Sequence, residues 1–161
     1  MKRMPCLATF ALAAAVVSGG CVSMMPPEPT PLELLMLQSR EYEEDKQVLF
    51  SSVMTVFQDM GYTPTSADLE TGFISAESAA QGGFNILDLL VDDTTVVQTR
   101  ATAYIERIGE GTRVRLSFVE VRSTSSVAGQ TDRRDVQVLD PMVYQNAFER
   151  IEQAIFVRSA N

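Results

Sequence analysis

The sequence contains no histidine and no tryptophan, and its only two cysteines are Cys6 and Cys21. Without histidine, neither a Ser-His-Asp nor a Cys-His catalytic arrangement can form. A zinc site built from the usual nitrogen and sulfur ligands is excluded for the same reason. Carboxylates, hydroxyls and arginines are the groups that remain for chemistry. We therefore expect a protein that is not an enzyme and that holds no cofactor and no metal ion.

The N-terminal segment has the parts of a secretory signal peptide. Lys2 and Arg3 supply positive charge, a largely apolar run extends from Leu7 to Val17, and small residues follow. The apolar run is too short to cross a bilayer as a helix. We expect residues 1–20 to be removed on export.

The end of this segment, Gly19-Gly20-Cys21, resembles the lipobox of bacterial lipoproteins. One departure is Ser18, which stands where lipoboxes usually carry Leu, Val or Ile. The resemblance implies cleavage between Gly20 and Cys21, and attachment of lipid, such as palmitate, to the Cys21 thiol. Several acyl chains are needed, because a single chain binds a bilayer only marginally. By analogy with lipoprotein sorting in Gram-negative bacteria, Val22 after the cysteine implies the outer membrane.

Cleavage would leave residues 21–161, which is long enough for one domain with a substantial core. Loss of the two basic residues leaves 11 basic against 21 acidic residues, a net charge of −10. Nucleic acid and anionic lipid headgroups should repel such a domain, so we expect no nucleic-acid partner. The folded body has no free thiol and can form no disulfide.

A tether is predicted over residues 21–31, ahead of a single domain over residues 32–161. Residues 26–31 contain four prolines, which favour an extended polyproline II conformation. At roughly 3.1 Å per residue, such a spacer would hold the domain on the order of 30 Å from the membrane. A disordered linker with no further role is the alternative interpretation.

The hydrophobic periodicity of the domain predicts an α+β fold, a mostly antiparallel sheet with two amphipathic helices on one face. Asp45 should cap a helix that begins at Lys46 and ends before Gly61, and Asp140-Pro141 should open the last helix. The predicted order is β-α-β-β-(α)-β-β-(β)-α. A brief helix over 32–37 is also predicted, which either packs on the domain or touches the bilayer surface. Strands are predicted over 38–43, 62–69, 73–77, 94–108, 111–122 and 133–139.

The clearest predicted element is a hairpin with a two-residue turn at Gly109-Glu110. This turn places Ile105 opposite Val114, Glu106 opposite Arg113 and Tyr104 opposite Arg115. The alternation of apolar residues changes parity between Phe118 and Val119. Either a β-bulge or a strand buried on both faces would explain that change.

Two segments have alternative interpretations. Residues 81–93 are predicted to form a short amphipathic helix between strands, and the alternative is a mobile loop that covers one sheet edge. Residues 123–131, rich in Ser, Thr and Gly, are predicted to form a loop. This loop is either an interaction site or a plain connector.

Four arginines are candidate partner-binding residues: Arg100, Arg113, Arg115 and Arg122. If they line one face of the sheet, they could bind an anionic partner or a peptidoglycan carboxylate. The alternative is the ordinary solvated face of a one-sided sheet. An interaction surface here would belong to the membrane-anchored form of the protein.

Three clusters of acidic residues are candidates for carboxylate chemistry, namely Glu41 with Glu43-Glu44-Asp45, Asp88 with Asp92-Asp93, and Asp132 with Asp135. Hydrolysis of cell-wall glycan needs two acids that face each other across a cleft. Solvated charge near the ends of helices and loops is the alternative. The second cluster lacks the spacing of a calcium loop.

Two stretches, residues 56–74 and 140–148, resemble a group of small bacterial lipoproteins. The predicted topology is similar to the helix-grip domains of the BamC lipoprotein, an outer-membrane assembly accessory. These resemblances imply a non-catalytic, membrane-tethered binding or scaffolding module on the periplasmic face of the outer membrane, with an envelope protein as partner. The alternatives are a pocket for a lipid or other apolar ligand and a carboxylate-dependent glycan hydrolase.

Overall fold

The computed structural model describes residues 29–83, 94–125 and 131–159. These residues form three helices and a seven-stranded antiparallel sheet, so the predicted α+β fold class is confirmed. In chain order the elements are α1 (Pro31–Gln38), β1 (Ser39–Tyr42), α2 (Lys46–Asp59), β2 (Tyr62–Asp68), β3 (Phe73–Ser78), β4 (Gln81–Gly83), β5 (Thr94–Ile108), β6 (Gly111–Ser125), β7 (Thr131–Gln137) and α3 (Pro141–Ser159). The predicted signal peptide, the predicted acylation site at Cys21 and most of the predicted tether lie outside the described residues.

The β5–β6 hairpin is the centre of the sheet. Its register matches the prediction, with Ile105 opposite Val114 and Tyr104 opposite Arg115. Gly109 has a φ of +61°, the positive value required at the first position of such a turn. The register continues unbroken along both strands, so the predicted bulge is wrong. Instead β6 is buried on both faces at this point, because Phe118 and Val121, on opposite faces, are both buried.

Each strand of the hairpin pairs with two further strands along its outer edge. β1 and β7 both pair with β6, while β3 and β4 both pair with β5. β2 completes the order β1-β6-β5-β3-β2 by pairing with β3. The β1 register ends at Arg115 and the β7 register begins at Val119, which leaves a gap in the β6 edge at residues 116–118.

The core lies between the sheet and the pair of helices α2 and α3. Four aromatic rings meet there, and Phe118 packs against Phe57, Tyr62 and Tyr144 with centroid distances of 6.3, 6.2 and 5.3 Å. Helical spacing also predicts an apolar stripe on the last helix at Tyr144, Phe148, Ile151 and Ile155, and it is confirmed, since all four residues are buried. None of the described helices is both long enough and apolar enough to span a bilayer.

The predicted ends of the helices are confirmed, except for the side-chain cap at the start of α2. At the start of α3 the Met142 amide donates to the Asp140 carboxylate at 2.9 Å, as expected of an N-cap. Gly61 follows α2 with a φ of +84°. Asp45 occupies the N-cap position of α2, but its side chain caps no amide. The prediction of a side-chain cap is wrong there because the carboxylate pairs with Arg107 at 3.1 Å.

The helical spacing of apolar residues predicts a buried side of α2 formed by Phe50, Val53, Met54, Phe57 and Met60, and the structure differs from it in part. Phe50, Met54 and Met60 are only partly buried, whereas Leu49 and Val56 are fully buried. Val53 and Phe57 belong to both sets. Because α2 packs against α3 as well as against the sheet, a different side of the helix is buried. The sequence of α2 alone does not show this contact.

The two segments for which the sequence allows alternative interpretations are partly strand. Residues 81–83 form β4, which pairs with β5, so the predicted helix is wrong at its start. Residues 123–125 belong to β6 and Thr131 to β7, so the predicted loop is shorter than expected. Pairing with β5 extends β6, where the Thr95 and Thr124 hydroxyls lie 3.2 Å apart. The remaining parts, residues 84–93 and 126–130, lie outside the described residues.

Candidate functional site

The sheet has two unlike faces. Within the described residues, α2 and α3 pack on one face, and we call the opposite one the open face. Because side chains alternate along strands, the register assigns each residue to a face. Four cross-strand rows of the open face lie around the candidate arginines: Glu41, Arg113 and Glu106; Ser39, Arg115, Tyr104, Phe73 and Asp68; Ser117, Thr102, Ser75 and Ser66; and Gln137, Val119, Arg100, Glu77 and Thr63.

The four candidate arginines do not share this face. Arg100, Arg113 and Arg115 lie on the open face, as the rows show. Arg122 lies on the other face, since it is an odd number of residues from Arg115 on the same strand. Its guanidinium pairs with Glu120 at 2.5 Å. The prediction that all four line one face is therefore wrong for Arg122, and the parity is maintained because β6 carries no bulge.

Two of the three candidate arginines on the open face are paired with cross-strand carboxylates. Arg100 lies 3.2 Å from Glu77. Arg113 lies 2.7 Å from Glu41 and 3.9 Å from Glu106. These pairs are at least partly exposed, so each contributes at most about 1 kcal/mol to stability. The paired carboxylates do, however, neutralise the charge of both arginines.

Arg115 is different, because it reaches no carboxylate among the described residues. Its Nη2 donates instead to Oε1 of Gln38 at 3.5 Å. Gln38 is only 3% exposed, and its Nε2 donates to the Tyr144 hydroxyl at 3.4 Å. That hydroxyl in turn donates to the Val138 carbonyl at 2.8 Å. A buried polar network thus positions a guanidinium whose charge is not neutralised by any carboxylate in the described part of the chain.

Aromatic side chains flank Arg115 along its row. Tyr104 is its cross-strand neighbour and is 45% exposed, and Phe73 beyond it is 40% exposed. The next row consists of small hydroxyl residues, including Ser117 and Thr102. Together these side chains line a depression of about 300 Å³ that extends to Gln38 and Gln137. A ligand in the depression would therefore contact the Arg115 guanidinium, the two aromatic rings and the hydroxyl side chains.

The gap between β1 and β7 opens into the same depression. Leu116 and Ser117 have no strand partner on the outer edge of β6 within the described residues, and both contribute to its lining. Phe118 is bonded there, since its carbonyl accepts the Val138 amide at 2.9 Å. A ligand in the depression would therefore have access to strand edge as well as to side chains.

Acidic groups near the rim do not compete for Arg115. Hydrogen bonding from the Thr71 side chain, followed by the Glu70 amide, lowers the pKa of the Asp68 carboxyl. The Asp68 carboxyl is therefore ionised. It lies three strands away from Arg115, which is roughly 14 Å at the usual strand spacing. Hydrogen bonding from Arg133 lowers the pKa of Asp135, which is engaged with that arginine at 3.0 Å.

The acidic clusters do not assemble into a catalytic pair within the described residues. Asp132 and Asp135 are three residues apart on β7, so they lie on opposite faces. Glu41 and Glu106 both contact Arg113 rather than facing each other across a cleft. No group of three potential metal ligands occurs in residues 29–83, 94–125 or 131–159. The cluster at Asp88, Asp92 and Asp93 lies outside these ranges.

Larger depressions occur on the outer surfaces of the helices, with volumes of about 450 and 490 Å³. Both are lined in part by Arg158, which is already engaged. It donates to the Ser51 carbonyl at 3.2 Å and to the Thr55 hydroxyl at 2.8 Å. The depression at Arg115 is smaller, but it combines a guanidinium with two exposed aromatic rings on the open face.

Sequence reasoning identified Arg115 and its neighbour Tyr104 but missed Gln38 and Phe73. Gln38 was expected to begin a strand, and nothing in the local pattern marks it as buried. Its importance follows from contacts with residues 77 and 106 positions away. Phe73 was expected to start a strand, and only the position of β3 beside β5 places it in the row of Arg115.

Comparison with known proteins does not add to this description of the site. No protein family matches the chain, and no curated protein is significantly similar to it. The function is therefore inferred from the geometry of the open face.

Proposed function

We propose that this protein is a non-catalytic binding module of the cell envelope, anchored by lipid at Cys21 to the periplasmic face of the outer membrane. Its binding surface is the open face of the sheet. The partner is an envelope protein that presents a carboxylate next to an apolar group. The observation that carries this proposal is the guanidinium of Arg115, which pairs with no carboxylate in residues 29–83, 94–125 and 131–159 and lies beside two exposed aromatic rings.

The charge balance supports a binding role for Arg115. The chain has 21 acidic and 13 basic residues, so a cation near acidic neighbours finds a partner easily. Arg100 and Arg113 each pair with a carboxylate on the same face, whereas the Arg115 guanidinium hydrogen-bonds to the neutral side-chain amide of Gln38. A guanidinium held in this way can receive a carboxylate through two parallel hydrogen bonds. Arginine and tyrosine are also enriched among the residues that dominate binding energy at protein interfaces.

The two other candidate functions have less support. A lipid pocket between helices and sheet would need an enclosed space, yet the rings of Phe57, Phe118 and Tyr144 pack together there and are fully buried. A glycan hydrolase would need two facing acids, and the acidic clusters within the described residues are arranged differently. The packing and the charge pattern therefore favour surface recognition.

The anchor is tested by Cys21→Ser. Because stable attachment depends on acyl chains at this residue, the variant should move from the membrane fraction to the soluble fraction. Cell fractionation, together with the intact mass of the purified wild-type protein, provides the measurement. Cys6→Ser is the matched control and should remain in the membrane fraction. Membrane association of Cys21→Ser equal to that of the wild type would contradict the proposed anchor.

The binding surface is tested by photocrosslinking in intact cells. A photoreactive phenylalanine analogue replaces Tyr104 on the open face or Phe156 on α3 in the membrane-anchored protein. We expect a discrete protein adduct from position 104, reduced about tenfold or more by Arg115→Ser, since a hydrogen bond to a charged group contributes roughly 1.5–3 kcal/mol.

Arg122→Ser is the control for this experiment, because Arg122 lies on the opposite face of the same strand. Arg115→Lys retains the charge but loses the planar pair of donors, so it should restore binding only in part. An adduct from position 104 that persists at wild-type yield in Arg115→Ser would refute the proposed role of Arg115. An adduct that forms equally at position 156 would show that the contact is not specific to the open face.

A further inference from the structure

The first helix of the domain presents an apolar face to solvent. Leu32, Leu35 and Met36 are all exposed, and they follow the i, i+3, i+4 spacing that places side chains on one side of a helix. The opposite side of α1 faces the domain, where Leu37 packs against the core and Gln38 is buried. A helix of eight residues thus contacts the protein with one side and leaves a continuous apolar surface on the other.

The charged residue of α1 is withdrawn from this apolar surface. Glu33 accepts hydrogen bonds from the Thr30 amide at 2.7 Å and from the Thr30 hydroxyl at 2.8 Å. The Glu33 amide donates back to that hydroxyl at 3.3 Å, which completes a capping box. The carboxylate is therefore held at the start of the helix, and the outward face of α1 is formed by apolar side chains.

We infer that this face of α1 docks on the bilayer that holds the lipid anchor. The inference rests on the proposed anchor at Cys21. Pro31, the first residue of α1, is only ten positions after that cysteine, so α1 is the described element with the shortest tether to the membrane. An apolar helix face held at a membrane surface inserts into the boundary between headgroups and acyl chains. The tether then need not be extended, and the domain lies on the membrane rather than about 30 Å away from it.

A second copy of the chain is a less suitable occupant for the same surface. The mature chain carries a net charge of −10, so two copies repel each other at close range. The apolar face of one eight-residue helix also offers much less area than the roughly 800 Å² per partner of a standard interface. A bilayer whose headgroups carry no net charge does not repel the domain, and it needs no matching protein surface.

The docking is tested with environment-sensitive labels on the full-length, membrane-anchored protein. Met36→Cys and Phe156→Cys each introduce a thiol at a residue that is 73% exposed. Phe156 lies on α3, 12 residues beyond Tyr144 and so roughly 18 Å along the helix from the end that contacts Gln38. After export and acylation, the introduced cysteine is the only free thiol. The labelled proteins are reconstituted in vesicles of phosphatidylcholine and phosphatidylethanolamine.

We expect the label at position 36 to emit at shorter wavelength than the label at position 156 and to be quenched by nitroxide groups on the acyl chains. Leu32→Ser combined with Leu35→Ser should remove both effects while circular dichroism stays unchanged. Equal, water-like emission from both positions in acylated protein would overturn the docking of α1 and leave the anchor intact. A shift at position 36 that depends on protein density and persists in detergent would show self-association and would also overturn it. An intact mass without lipid on Cys21 would overturn both proposals.

Discussion

Phe118→Ala should lower the free energy of unfolding by about 3–5 kcal/mol, the range observed when a large buried aromatic side chain is truncated. The Phe118 ring is fully buried and lies within 6.3 Å of the centroids of Phe57, Tyr62 and Tyr144. These neighbours come from a helix, a strand and a second helix, so they cannot all move together to fill the space. Urea unfolding followed by circular dichroism provides the measurement.

Phe156→Ala is the matched control, since this ring is 73% exposed and its truncation should change stability by about 0.5 kcal/mol or less. The slope of the urea dependence should be the same in both variants, because the surface exposed on unfolding is nearly unchanged. A loss below about 1 kcal/mol for Phe118→Ala would mean that the aromatic cluster does not hold the helices on the sheet.

Gly72→Ala should lower the free energy of unfolding by about 2–5 kcal/mol, since it combines a strained backbone with a steric clash. Gly72 has a φ of +80°, which side chains other than glycine rarely adopt. A Cβ atom at this position would also collide with the Ile105 carbonyl oxygen. The backbones approach closely there because the Ile105 amide donates to the Gly72 carbonyl at 2.9 Å.

Gly61→Ala separates the two contributions. Gly61 has a φ of +84°, but a Cβ atom there would meet nothing within 4 Å. This variant should therefore lose only about 1–2 kcal/mol, the cost of the left-handed conformation alone. Thermal or urea unfolding of both variants gives the comparison. Equal losses at the two positions would show that the contact between the β2–β3 turn and β5 does not constrain the sheet.

The two proposals together define an orientation of the domain. Gln38, the last residue of α1, lies beneath Arg115 and hydrogen-bonds to it. Docking of α1 would therefore bring the binding depression close to the membrane surface. We expect a partner that is itself attached to the membrane, with its carboxylate within reach of the lipid headgroups. Moving the domain away by lengthening the tether should then weaken the crosslink at position 104.

The predictions that succeeded concern neighbours along the chain. Alternating apolar residues and the glycine at 109 predicted the β5–β6 register, including Tyr104 opposite Arg115. Asp140 and Pro141 predicted the start of α3. In each case a few adjacent residues contain the physical cause, a turn conformation or a capping bond. The capping prediction failed at Asp45 because a distant residue, Arg107, competes for the carboxylate.

The candidate site combines a local and a long-range part. The sequence predicts both Arg115 and Arg122 as candidate residues of one sheet face, because it does not show which face each side chain occupies. The unbroken β6 register separates the two residues. The availability of Arg115 could not be predicted, since it follows from the pairing of Arg113 with Glu41, a residue 72 positions away. Such pairings depend on which strand lies beside which.

By itself, the sequence excluded histidine-dependent catalysis and the usual zinc sites. It also determined the α+β class and the pairing within the central hairpin. These follow from composition and from interactions between residues close in the chain. The lipid anchor at Cys21 is also a sequence inference and stays a prediction. Only the tertiary structure decided that β1 and β7 share one edge of β6, that a gap remains between them, and that Gln38 holds Arg115 there. The reason is physical: strand order and burial arise from packing between distant segments, which local periodicity does not specify.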